Sequence, residues 1–288
     1  MGIPDRNDDS GRNTSPITGR LILGILIALG ALFTYFNNSQ ENPVTHQVQH
    51  ISLTPDQEIR LGLESAPSMA RQMGGEIHSS DPRAIEVSKI GQLIISKTEA
   101  EKSPWKFKFH LLADPQTINA FALPGGQVFI TLGLYDKLQT EAQLAGVLSH
   151  EIGHVIERHS AQQLAKAELG QMLVVGVGVG ASGDQQSNLY DPAMIAAVAN
   201  QMIQLHYSRH DESQADIWGL KLMTESGFDP HAMIDVMEIL KAASGGRGGQ
   251  IEMFQTHPNP DLRIEQIKAY LKEHPPQPGL TQGENLNS

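Results

Sequence analysis

One helix constrains this 288-residue chain more than any other feature: the helix opened by Thr140 that carries His150-Glu151-Ile152-Gly153-His154. Thr140-Glu141-Ala142-Gln143 reads as a capping box, so the helix has a defined start and the motif falls well inside it. Two histidines at i and i+4 project from one face about 40° apart, close enough to share one small cation. Neutral imidazoles are preferred zinc ligands, and the intervening Glu151 can reach the attacking water as a general base. Leu144, Val147, Leu148, Ile152 and Val155 make the surroundings apolar. A solvated polar face would not look like this. The same pattern predicts one continuous helix to about Leu169.

A third ligand must come from elsewhere. There are no cysteines, which excludes disulfides and thiolate sites and leaves histidine and carboxylate as donors. The metzincin pattern needs Gly at 157 and His at 160, where this chain has Glu157 and Ser160. His159, nine residues from His150, falls about 180° round a continuous helix and is expected on the surface. Glu212 and Asp216, in Glu212-Ser213-Gln214-Ala215-Asp216, again share one helix face. Glu212 can ligate while Asp216 accepts the spare ring N–H of a ligating histidine. His206 and His210 are also four apart, but they lack an intervening base, and His210 stands about 200° from Glu212. They read as bystanders. The expectation is one zinc ion per chain, held by His150, His154 and Glu212.

The rest of the chain sets the context. The net charge is −11 with no Lys/Arg block, so nucleic acid is excluded as a partner. Hydrophobic residues make up 40%, enough for a sizeable core. Residues 1–20 are polar and expected to be disordered. Arg20 then abuts the apolar run Leu21–Phe36, sixteen residues that would span roughly 24 Å as a helix against a ~30 Å hydrocarbon core. Arg12 and Arg20 precede the run, and the next cation is Arg60. The positive-inside rule predicts a cytoplasmic N-terminus, a single-pass anchor in the inner membrane and a periplasmic remainder. The alternative is a signal peptide cleaved near Ala28-Leu29-Gly30. Either way the catalytic part is exported.

Residues 37–52 read as a polar linker and 53–274 as the working domain. Thr54-Pro55-Asp56-Gln57 opens a helix to about Met73. Asp81-Pro82 opens another to about Thr98, with Ile85, Val87, Ile90, Leu93 and Ile94 on its buried side. Strands are expected at 106–112, 117–123 and 127–132, the last two around Pro124-Gly125-Gly126. The glycine-rich stretch 170–183 reads as a helix end and loose loop, or as a membrane-touching lid. Further helices are expected from Asp191-Pro192 to Glu225, from Asp229-Pro230 to Ala243 and from Asn259-Pro260 to Glu273. Ser244–Gly249 reads as a flexible loop, and residues 275–288 as a disordered tail.

Tyr207-Ser208-Arg209-His210-Asp211-Glu212-Ser213-Gln214-Ala215-Asp216 resembles the S-R-x-x-E-x-x-A-D signature of the membrane-associated zinc endopeptidases typified by HtpX, Oma1 and the CAAX prenyl proteases. Asn119–Gly126 resembles that family's segment before its substrate-binding strand. His257-Pro258-Asn259-Pro260-Asp261-Leu262-Arg263 resembles its H-P-x-x-x-x-R element. With the H-E-x-x-H motif, these cover nearly the whole ordered chain, and the match is nearest to bacterial periplasmic members. It lacks the several membrane helices of HtpX and the prenyl proteases, which puts prenylated substrates in doubt.

The resemblance implies an α+β, mainly helical zincin-like (gluzincin) domain with a small sheet against the motif helix. It makes Gly126, Gln127, Val128, Phe129 and Ile130 part of an edge strand that pairs with extended substrate, with Asn119 holding a substrate carbonyl. His257 and Arg263 would face the cleft and stabilise an oxyanion. Unfolded or damaged envelope proteins would be the substrates. The rival reading is a membrane-anchored, chaperone-like binder with a structural or silenced zinc, which would have no use for Glu151.

Overall fold

The computed structural model describes residues 16–177, 206–244, 253, 256–257 and 260–286. Its helices are α1 (Pro16–Asn37), α2 (Pro55–Gln72), α3 (Pro82–Lys97), α4 (Leu132–Tyr135), α5 (Glu141–Ile156), α6 (His159–Val177), α7 (Arg209–Ser226), α8 (Ala232–Ser244) and α9 (Pro260–Glu273). The strands are β1 (Ser39–Glu41), β2 (Val48–His50), β3 (Lys108–Leu112), β4 (Ala120–Leu123) and β5 (Gln127–Thr131). The α+β, mainly helical expectation is met. Thr54 and Asp81 cap α2 and α3 as their sequences predict. Thr140 accepts from the Gln143 N–H, but the Gln143 side chain accepts from Gln139 N rather than closing the expected box. On α3, Val87, Ile90 and Ile94 are buried, whereas Ile85 is exposed.

From Ala142 onward α5 is buried on every side. It packs on α3, the sheet, α7 and α8, and its apolar residues join one large core. Its closest partner is α7, and small residues permit the approach. A Cβ at Gly153 would stand 2.9 Å from Ala215 O and Trp218 Cβ of α7, and one at Gly219 of α7 would stand 3.4 Å from His150 N of α5. Helix α7 starts later than the expected 191–225 helix. Ser208 and Asp211 form a capping box at its head, and Tyr207 precedes it in non-helical backbone. Residues 191–205, 178–183 and 245–249, on which other expectations fall, lie outside the described residues.

The three-stranded sheet has the order β3-β5-β4, with β5 parallel to β3 and antiparallel to β4. This corrects the edge-strand expectation. Gln127–Thr131 is the central strand, all five residues are buried, and both its edges are already hydrogen-bonded. The two ends of the β4–β5 hairpin meet through Gly125 and Gly126, with φ of 80° and 108°. A side chain at Gly125 would collide with the Ile59 backbone of α2.

Two segments expected to be featureless are built into the fold. Residues 39–50 form the β1–β2 hairpin rather than a linker. Its buried Asn42 donates to Ile156 O at 2.8 Å, and Gln49 donates to Glu157 O at 2.9 Å. These contacts cap the end of α5. There the chain breaks, because Arg158 adopts the left-handed region with φ 58°. Arg158 turns inward to Glu58 (2.8 Å) and the Leu53 carbonyl (2.8 Å). The expected 140–169 helix is therefore two helices.

The tail is the second such segment. Glu141 N and Ala142 N, at the head of α5, donate to Glu284 O and Gln282 O, and Thr281 bridges Phe228. Residues 281–286 thus close the first turn of α5 and are not a disordered tail. At the other end of the chain, α1 packs along α6 and exposes Ile22, Leu23, Ile25, Leu26, Leu29, Phe33 and Phe36. Among the described residues no helix is long and apolar enough to cross a membrane.

Candidate functional site

Where α5 and α7 cross, four side chains converge. His150 and His154 come from α5, Glu212 from the first turn of α7, and His257 from the segment before α9. All four are buried, and one donor atom from each lies within 4.8 Å of the others. His150 Nε2 is 3.1 Å from His154 Nε2 and 3.4 Å from His257 Nδ1. Glu212 Oε1 is 3.5 Å from His154 Nε2 and 2.9 Å from His257 Nδ1. Donors about 2.0–2.1 Å from a tetrahedral centre stand about 3.3 Å from one another, so three imidazoles and a carboxylate at these spacings can hold a metal ion. Glu151 completes the set. Both of its oxygens are buried without a hydrogen-bond partner, and His257 Nε2, also unpartnered, lies 3.8 Å from Oε1.

Electrostatics separate the two glutamates. Burial pushes the Glu151 carboxyl up, against the charges of His257 and His150. Burial acts on Glu212 in the same direction, but there His257, Arg263 and hydrogen bonds from His154 and His257 prevail and hold the carboxyl well below its usual range. Burial likewise drives His154 well below the ordinary imidazole range, towards the neutral form a ligand needs. One carboxylate is thus held ionised beside the histidines, while the other is placed to take up a proton.

Behind the cluster, Asp216 Oδ1 lies 3.0 Å from His150 Nδ1, the contact expected of it. Arg263 departs from expectation. Its Nε and Nη2 fork onto Asp216 at 2.8 and 2.5 Å, and Nη1 lies 2.7 Å from Glu212 Oε2. With its donors held by two carboxylates, the guanidinium braces them rather than facing a substrate. His257 sits inside the ligand cluster itself. Asn119 is buried with Oδ1 unpartnered, but Gly126 to Ile130 lie on the central strand or its turn and offer no free edge.

The outward edge belongs to β4. Asn119 O accepts from Thr131 N, so in the antiparallel pair the backbone N–H and C=O groups of Ala120 and Ala122 point away from β5. The Ala122 carbonyl is met by Ser160 Oγ at 3.3 Å, and Ser160 in turn contacts Tyr207 Oη at 3.0 Å. The Tyr207 ring lies 4.1 Å from that of His154. Sequence reasoning missed Ser160, Tyr207 and His159. His159 is not on the surface: only 1% of it is exposed, and it lies against His154. Extrapolating 3.6 residues per turn across Arg158 misplaced it.

A buried H-E-x-x-H helix crossed by a glutamate-bearing helix, with a small sheet alongside, defines a metalloprotease of the zincin-like kind. The sequence profile described as peptidase family M48 matches residues 82–271. This chain belongs to peptidase family M48, which bears out the resemblance read from its motifs. It is 31% identical over 255 residues to the mitochondrial metalloendopeptidase OMA1 of Schizosaccharomyces pombe, covering 88% of this chain and 72% of that protein. It is 30% identical over 233 residues to the beta-barrel assembly-enhancing protease of Yersinia pestis, covering 79% of this chain and 46% of that protein, about half its length. To the metalloprotease YcaL of Escherichia coli it is 27% identical over 208 residues, covering 70% and 78%.

Proposed function

We propose that this chain is a zinc-dependent endopeptidase that hydrolyses peptide bonds in unfolded or damaged proteins of the cell envelope. His150, His154 and Glu212 hold one zinc ion, and Asp216 and Arg263 fix the ligands from behind. Zinc held by these residues would supply Lewis-acid polarisation of the scissile carbonyl and a lowered pKa for the attacking water. Glu151 takes the proton of that water and returns it to the leaving amine. Extended substrate pairs along the outer edge of β4, with Ser160 giving up the Ala122 carbonyl and Asn119 holding a substrate group. His257, whose Nδ1 lies in the ligand cluster, would serve as a further ligand at rest and would give way when substrate enters. Backbone pairing tolerates many sequences, which suits unfolded chains as substrates. The Leu21–Phe36 run anchors the chain to a membrane, with the domain after it in the periplasm; the exposed apolar residues of α1 and the Arg12/Arg20 bias support this.

Glu151 carries the reading: a buried carboxylate with both oxygens unpartnered, beside four potential ligands, has no structural task. Glu151→Gln in the full-length protein should lower casein hydrolysis by about 10²–10⁴-fold. Zinc content should stay at that of the wild type, since no ligand is lost. Retention of more than about a tenth of the turnover would remove Glu151 as the base and favour a polypeptide binder.

A further inference from the structure

The break between α5 and α6 sets a third ring behind the two of the motif. His159 Nδ1 stands 2.9 Å from His154 Nδ1, and His159 Nε2 stands 3.2 Å from Gln214 Oε1 on α7. Both histidines are about 1% exposed, so bulk water cannot replace either contact. The protons along this line can be placed in only one way. His154 turns Nε2 to the ligand cluster, 3.1 Å from His150 Nε2, and a ligating nitrogen must offer its lone pair. The proton of the neutral ring is then on Nδ1 and is donated to His159 Nδ1. His159 in turn carries its proton on Nε2 and donates it to the side-chain oxygen of Gln214. The Asp211 carboxylate lies 3.9 Å from the same Nε2, beyond hydrogen-bond reach, so each donor meets one acceptor and the hydrogen-bonded line ends on the Gln214 amide.

We propose that His159 is the positioning residue of His154, a neutral acceptor that fixes its tautomer and ring plane, with Gln214 orienting His159. The inference rests on the metal site proposed above. It makes the two motif histidines unequal. His150 is backed by the Asp216 carboxylate, which Arg263 clamps. A carboxylate partner raises the basicity of the ring it holds, and a neutral imidazole raises it less. The site therefore joins one strongly backed histidine to one weakly backed histidine, and an ion between them keeps more of its polarising power than two carboxylate-backed rings would leave it.

The test uses full-length protein stripped of metal and titrated with zinc against a competing chelator. Ring ¹⁵N shifts of His154 are read in the stripped and loaded states. His159→Ala should weaken zinc binding about 10–100-fold and let His154 populate both tautomers. His159→Asn, whose Oδ1 can stand where Nδ1 stood, should recover most of that loss, which mere cavity filling would not predict. Gln214→Leu, outside the ligand set, should weaken binding several-fold, and it carries the test if the alanine variant does not fold. Wild-type affinity and a single His154 tautomer in both His159→Ala and Gln214→Leu would overturn the inference and leave His159 a core histidine. Equal losses in His159→Ala and His159→Asn would also overturn it. A wild-type protein that binds no zinc would remove the metal site and this inference together, and that result would appear before any substitution is made.

Discussion

His257 presents Nδ1 to Glu212 at 2.9 Å and Nε2 towards Glu151 at 3.8 Å, so one ring reaches both the ionised carboxylate and the unpartnered one. Glu212 and Glu151 outweigh burial and hold its basicity above that of an ordinary histidine. A side chain in that position competes with substrate for the same space. His257→Ala should therefore raise basal hydrolysis of unfolded casein several-fold, as measured by initial rates at saturating zinc. A plain loss of turnover with unchanged zinc affinity would leave His257 a transition-state group and refute the resting plug. At this scale the sequence was readable wherever helical period relates two residues. His150 with His154 and Glu212 with Asp216 fall on shared faces as their spacing predicts, because both pairs lie inside unbroken turns. His159 and Arg263 did not: a left-handed residue precedes one, and the carboxylates that capture the other sit 47 and 51 positions away in the chain.

The crossing of α5 and α7 depends on having no side chain at Gly153. Alanine there gains about 1 kcal/mol of helix propensity, yet its Cβ would meet backbone at Ala215 O and the Trp218 Cβ at 2.9 Å. Backbone cannot rotate away, so α7 must move and take Glu212 with it. Gly153→Ala should retain full helicity by circular dichroism while losing about tenfold or more in zinc affinity, consistent with a ligand displaced rather than removed. Unchanged affinity would show that the helices can separate without disturbing the cluster. Strand existence was legible from alternation around Pro124-Gly125-Gly126, but strand order was not. Apolar residues on both faces of Val128–Ile130 mark a doubly covered strand, and nothing local says which neighbours pair with it. The β1–β2 hairpin escaped for a related reason. Its stability comes from Asn42 and Gln49 reaching carbonyls 114 and 108 residues away.

At the scale of the whole molecule, the N-terminal run and the charge bias around it make a topological prediction. A reporter active only outside the cytoplasm, fused after Ile51, should be active, and a cytoplasmic reporter at the same point should be silent. The reverse pattern would overturn the exported reading. The opposite end of the chain has a consequence for timing. Residues 282 and 284 supply the acceptors for the first two N–H groups of the helix that bears His150 and His154. On a ribosome or in a translocation channel the chain emerges from its N-terminus, so that helix is made more than a hundred residues before the segment that caps it. Until then its leading turn faces water, and a product clipped short of Thr281 never closes it. The helix that bears the two motif histidines thus takes its starting cap from a segment made long after it.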